Sequence, residues 1–357
     1  MRRKFLSVVL CVCMMMTMVP FAFAAEGSET PTQTPDWSTN PDKTVYWEAG
    51  TQSGYATTLK AALDTAQNDN TADVVITCKE NAIVAEATTH IDVTNNVTIN
   101  ANGASFGGKD LSIGTYKAPK NSTTTFTIND AKNLVVWGQT VDNRADIWNV
   151  NFNNCTNDGF NFLMYRGGEN GTATINLNLT GCKASGFNDS IVHTSADGSI
   201  AITNCEFSNN CAPVNISHKQ SGAMSITITG CTFTGCGSTS TANTLNQYAA
   251  PIRLVNNNAN GTLTATVDNT TITDTVGENG DILLGDGRTS KPSYDVSLTT
   301  KGTSANLQVQ KPGYYGTDGT KDTSLLRSET ISADQEYTTN IIGYAAHVDG
   351  TKYATLT

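Results

Sequence analysis

Few residues in this chain could carry acid–base or metal chemistry, and they lie far apart. Hydrolysis of a glycosidic bond needs two or three carboxylates around the bond, one of them protonated. The stretch CTNDGFNF offers Asp158, FNDSIVH offers Asp189 with His193 close by, and ISHKQ adds His218 and Lys219. Asp158 better suits a turn, where its carboxylate would accept local N–H groups. A lyase would instead use Ca²⁺ with an Arg or Lys that takes the proton next to a uronate carboxylate. Oxygen ligands for Ca²⁺ must cluster. GENGDILLGDGR holds Glu278, Asp281 and Asp286, which serve a turn as readily, and Ca²⁺ is the one cofactor left open. The sequence contains no EF-hand or RTX loop, phosphate-cradling loop or nucleophile elbow.

A binding site needs less. Tyr165, His193, Asn215 and Arg253 sit in successive short apolar runs and would form a shallow polar row if they faced outward. Tyr165 would then stack on a sugar ring and Arg253 would pair with a carboxylate. A register slip of one residue would turn members of that row inward. A solvated face without a ligand is the plainer alternative.

Cys155, Cys182, Cys205 and Cys231 pose a different question, because each follows an alternating apolar/polar run. The segments INLNLTGCKASGF, IAITNCEFSNN and ITITGCTFTGC stack one on another, with VNFNNCTNDGF before them and TATVDNTTI after. The cysteine spacings are 27, 23 and 26, and the next equivalent, Thr270, follows 39 residues later because STSTANTLNQY inserts a loop. A second run recurs in each period: FLMY, SIVH, APVNIS, APIRLV and DILLG.

Each period therefore holds at least two short strands joined by Asn/Gly/Ser turns, and no helical pattern intervenes between about residues 90 and 290. The same side chain returning at the same place predicts an all-β fold, a parallel β-helix whose coils lie about 4.8 Å apart. Like residues would then stack in ladders. The four cysteines become an interior ladder of small thiols. Disulfides are the alternative that an exported protein suggests. The mature chain has seven cysteines, so one would be left over, and stacked side chains point the same way rather than at each other. A zinc site is weaker still, since no CxxC pair occurs.

Export is read from residues 1–24, a basic start (Arg2, Arg3, Lys4), an apolar run and Ala22-Phe23-Ala24 before Ala25, the pattern of a secretory signal peptide. Its removal takes three positive charges and no negative ones, moving the net charge from −10 to −13. An acidic chain with scattered Lys and Arg argues against nucleic acid, which needs a basic face, and against anionic lipid. No second long apolar segment follows, so the mature chain is expected to have no transmembrane segment. Residues 25–43, with three prolines and no periodicity, read as a flexible linker. Near residues 56–67, TLKAALDTAQ places Leu59, Ala62, Leu63 and Ala66 on one helical face, a cap for the first coil.

The capping helix, NNVTINANGASF and the recurrent ITNCEF/ITGCTF coils resemble the right-handed parallel β-helix proteins of the pectin-lyase-like superfamily, over about residues 54–290. The resemblance implies the fold and, for many relatives, cleavage or binding of acidic polysaccharide on the outer face of one strand row. CTNDGFNF is similar to the Asn-Thr-Asp-Gly of the pectin hydrolases, which makes Asp158, Asp189 and His193 the catalytic candidates. That family also carries an Asp-Asp pair, a Gly-His-Gly and an Arg-Ile-Lys, so one motif of four is matched, in altered order. The closing GTKYATLT echoes SGYATTLKAAL, and such openings resemble those of multi-repeat surface proteins from anaerobic Gram-positive bacteria. No sortase-type motif is present.

The expectation is a single parallel β-helix over residues 44–290, terminal coils or a β-rich cap over 291–342, and the start of a further repeat over 343–357. The expected protein is secreted or held at the cell surface and binds polysaccharide or a host glycan, for adhesion and without catalysis. A lyase or hydrolase acting on acidic polysaccharide is the first alternative, and a spacer within a larger surface protein the second.

Overall fold

The structure is a computed structural model. It describes residues 33–67, 72–85, 89–92, 95–107, 110–114, 122–138, 147–157, 165–167, 174–186, 190–237, 249–276, 280–284, 296–303, 307–312, 330–333, 337–342, 346–348 and 351–353. Its contacts divide the chain into Met1–Pro35 and Asp36–Thr357, and the second unit holds every element described below. Folded structure thus begins inside the stretch expected to be a linker. There the Asp36 backbone N–H donates to the Tyr55 hydroxyl at 2.8 Å, and the Trp37 ring meets the Tyr55 ring edge-on. An aromatic contact in reach holds the segment despite its lack of periodicity.

The unit is built mostly of strands in parallel sheets, and the chain visits three sheets in rotation. Gly198–Thr203 lies in the first sheet, Glu206–Ser208 in the second and Val214–His218 in the third, before Ala223–Thr229 returns to the first. The return is parallel and in register, with Ile200 on Ile226 and Ile202 on Ile228. This stacking is compatible with the β-helix-like solenoid expected from the repeat.

Alternation explains why these segments become strands. In Thr174–Thr180, Gly198–Thr203 and Ala223–Thr229 every second side chain turns inward, giving the buried columns Leu177–Ile200–Ile226 and Leu179–Ile202–Ile228. Each such side chain contributes about 2 kcal/mol by leaving water.

The corner between the first and second sheets has its own chemistry. Asn154, Gly181, Asn204, Gly230 and Asn269 all adopt positive φ, between 46° and 64°. Asn and Gly tolerate this region, where other residues bring Cβ against the backbone. From Asn154 onward asparagine and glycine alternate, each asparagine side chain leaning over the next corner, whereas one circuit earlier Asp130 is followed by Asn154, whose amide donates to it at 3.1 Å. A Cβ on Gly181 or Gly230 would lie 2.5 Å from the Oδ1 of Asn154 or Asn204. The following residue then turns inward and must be small. Ala104, Ala131, Cys155, Cys182, Cys205, Cys231 and Thr270 fill this position, all buried.

At the N-terminal end, Val45–Ala49 and Gln52–Ala56 form an antiparallel hairpin that pairs through Val45–Ala49 with Val74–Cys78. The helix Leu59–Ala66 follows; its N-cap Thr58 accepts from the Ala61 N–H at 3.2 Å, and Leu59, Ala62, Leu63 and Ala66 enter the same core as Val74 and Ile76. At the other end, Leu307–Pro312 and Tyr337–Ile342 extend the third sheet and Thr330–Ala333 the first. Ala346–Val348 and Thr351–Tyr353 form a second antiparallel hairpin.

Candidate functional site

The third sheet carries the row expected to bind, with one change of member. Its register runs Trp137, Arg166, His193, Asn215, Arg253, Leu283 and Gln310. Tyr165 stands one residue out of that row, paired with Val192 in the column that continues to Val214. The backbone register thus places Arg166, not Tyr165, in the row of His193.

Asn215 and Arg253 are only 5% and 4% exposed. The Arg253 guanidinium donates through Nη1 to Asn215 Oδ1, and the Asn215 amide donates to Ser190 Oγ at 2.9 Å. Ile252–Asn256 and Ile282–Leu284 are buried along their whole length, so this sheet is covered on both faces here. The two residues form an internal polar bridge instead of the outward groove expected of them.

Asp158, Asp189, Glu278 and Asp286 lie outside the described residues, as do the side chains of Tyr165 and His193. Asp281 Oδ1 accepts from the Thr275 hydroxyl at 2.5 Å, a turn contact. Among the described residues no group of three or more His, Cys, Asp or Glu is placed to hold a metal.

The four ladder cysteines are stacked, and they, like Cys78 and Cys236, are buried and outside any disulfide. Each of the four thiols lies near a carbonyl of the preceding circuit. Cys182 Sγ is 3.4 Å from Phe152 O and Cys231 Sγ is 3.4 Å from Ile202 O. The Cys182 thiol and burial push Cys205 up to about 12, and burial alone pushes Cys78 to about 12 and Cys236 to about 11. Cys182 and Cys231 move in the same direction, each through the neighbouring thiol and burial. Thiols so protonated are poor nucleophiles at neutral pH.

Sequence reasoning named His218 and missed its partner. His218 ends the third-sheet strand Val214–His218, is fully buried, and places Nε2 2.7 Å from Asp197 Oδ1. A Cβ on Gly222 would strike the Asp197 carboxylate, and one on Gly261 would lie 2.9 Å from His218 Cε1. Glycines on both sides let the corner between third and first sheets close over the pair. A fully buried imidazole presents no ring nitrogen to a substrate, so the pair fastens the corner.

The outward face of the first sheet is where polar groups meet solvent. Three side-chain ladders cross it. Asn153 donates to Asn129 and Asn129 to Asn100, both at 2.8 Å. Asn178 donates to Asn151 at 2.8 Å, and Asn151 to Thr127 at 3.0 Å. Ser199 donates to Asn176 at 2.8 Å, and Asn176 to Asn149 at 2.9 Å. Beyond them the face continues as Ser225, Thr227 and Thr229, then Thr262, Thr264 and Thr266. These residues are half-buried or exposed, and the first charges in the row of Asn153 and Thr229 are Asp268 and Lys301. The signal was present in TTTFTIN, VNFNN and SITIT, whose second residue type is always Asn, Ser or Thr.

Comparisons with family profiles, curated proteins and solved structures find no match for this chain. Among the described residues no helix is long and apolar enough to cross a membrane.

Proposed function

We propose that this chain is a secreted or cell-surface right-handed parallel β-helix that binds glycan for adhesion and performs no catalysis. One observation carries the reading. The outward face of the first sheet, from Thr123–Asn129 to Ala223–Thr229, is a solvent-reaching surface dominated by amides and hydroxyls, interrupted by Ile147, Ala201 and Ala223 and carrying no charged residue. Such a face offers hydrogen bonds in both directions to a hydroxyl-rich polymer. Of the residues that could do acid–base chemistry, His218 and Asp197 are engaged with each other and Asp281 with Thr275. Localisation outside the cell rests on the leader-like residues 1–24, and kinship with the pectin-lyase-like proteins on the motifs that resemble theirs.

The test is a polysaccharide panel with residues 25–357, with and without Ca²⁺. It follows new reducing ends, the absorbance of unsaturated uronates, and pull-down on insoluble glycans. Binding without either product is expected. Unsaturated product would make the protein a lyase, and saturated new ends a hydrolase.

A further inference from the structure

The outward row that contains the Asn100–Asn129–Asn153 ladder does not begin with an amide. Followed toward the N-terminus, its register runs from Asn100 to Thr77, then Tyr46, then Tyr55. Followed the other way it runs from Asn153 through Thr180 and Thr203 to Thr229. One unbroken line thus joins two tyrosines to a hydrogen-bonded amide track and then to hydroxyls. Its rungs are spaced about 4.8 Å apart, as in any β-sheet.

The tyrosines are part of a built platform. The Tyr46 and Tyr55 rings lie 4.9 Å apart, and Trp37 meets Tyr55 at 5.6 Å. Lys79 Nζ stands 6.0 Å from the Trp37 ring and is held by the Pro41 carbonyl at 3.1 Å. Tyr46 is the floor, only 3% exposed, while Tyr55 and Trp37 remain half-exposed above it. Tyr46 is buried beside Val45 and Trp47, whereas the Tyr55 and Trp37 rings stand outside the core and reach solvent. Glu48 beside it accepts from the Tyr46 hydroxyl at 3.3 Å.

Resting on the glycan-binding reading, we infer that Trp37, Tyr55 and Tyr46 form the anchoring subsite for an extended, uncharged polysaccharide that runs along the stacking direction over Asn100, Asn129 and Asn153. Aromatic faces with polar edges take the apolar face of a sugar ring while leaving its hydroxyls wet. Amides and hydroxyls along the track then meet the hydroxyls of later sugars. The line from Tyr46 to Thr229 contains no ionised group to match a uronate, and beside the platform Lys79 is accompanied by the carboxylates of Glu48 and Asp36. These features select a neutral chain over an acidic one.

The experiment titrates the full mature chain with cello-, xylo- and chito-oligosaccharides of increasing length, with oligogalacturonate as the acidic comparison. Ligand-observed NMR and tryptophan fluorescence are the readouts. Neutral oligosaccharides should bind more tightly as they lengthen, and Trp37→Ala or Tyr55→Ala should weaken binding by about tenfold. Asn129→Ala should affect long ligands and leave the shortest binders unchanged. Circular dichroism establishes that each variant is folded. Unchanged affinity in Trp37→Ala and Tyr55→Ala, or preference for oligogalacturonate, overturns this subsite and leaves glycan binding standing. Failure of every glycan to bind the unaltered chain overturns both.

Discussion

The cysteine rung shows how one residue position answers to two constraints. The preceding residue must accept positive φ, which confines it to Asn, Asp or Gly, and the rung itself must fit an inward corner, which confines it to Ala, Cys or Thr. The consequence for stability is calculable in sign. Cys205 ionises near 9 when unfolded and about 12 when folded, so between those values the unfolded chain binds fewer protons. Stability attached to the neutral thiol is therefore complete below pH 9 and lost as pH climbs toward 12. The slope is about 1.4 kcal/mol per pH unit for each thiol that ionises only on unfolding. Urea melts between pH 8 and 11 should show this decline, and Cys205→Ala, isosteric with the Ala131 rung, should make it shallower. A flat profile in the unaltered chain would mean that the thiols reach solvent. These rungs were legible in the letters because Asn-Cys and Gly-Cys pairs punctuate alternating runs. The His218–Asp197 contact was not, since two residues in different circuits meet only once the corner is closed.

Strands are tied to their neighbours by side chains as well as backbone, and the two ties respond differently to substitution. Asn129 accepts from one strand and donates to another, so Asn129→Val should remove two hydrogen bonds at once and cost about 1–2 kcal/mol in chemical denaturation, because each is partly exposed. A loss no larger than that of Thr264→Val, a hydroxyl outside the ladders, would mean that the amide ladder adds nothing to the backbone pairing. Alternation in INLNLT or ITIT settles register from the sequence because one face is apolar throughout. FLMYRG has no alternation, and the one-residue difference between Tyr165 and Arg166 went unread there for that reason. The aromatic platform was equally hidden. Tyr46 and Tyr55 come opposite only through the hairpin register, and Trp37 joins them from a segment without periodicity.

Across the whole molecule, repeated circuits leave two ends and one long open face. The N-terminal hairpin and the helix Leu59–Ala66 close one end over Val74 and Ile76. A chain lacking residues 1–67 should therefore expose the Val74–Cys78 edge and associate in light scattering more strongly than the mature chain, since an unpaired edge recruits other strands. Equal behaviour of the two would show that the cap does not protect this edge. The polarity of the open face was visible in composition, while the coverage of the third sheet depends on contacts between distant segments and was not. The corner pattern Asn154, Gly181, Asn204, Gly230, Asn269, Gly302 has a meaning for ancestry as well. An asparagine that shelters the glycine of the following circuit makes the pair of circuits the smallest piece a gene could duplicate without altering any corner. Within this run such a lineage would lengthen by twos, and a lone inserted circuit would betray itself as two side-chain-bearing corners in succession, the arrangement Asp130 and Asn154 make just before the run.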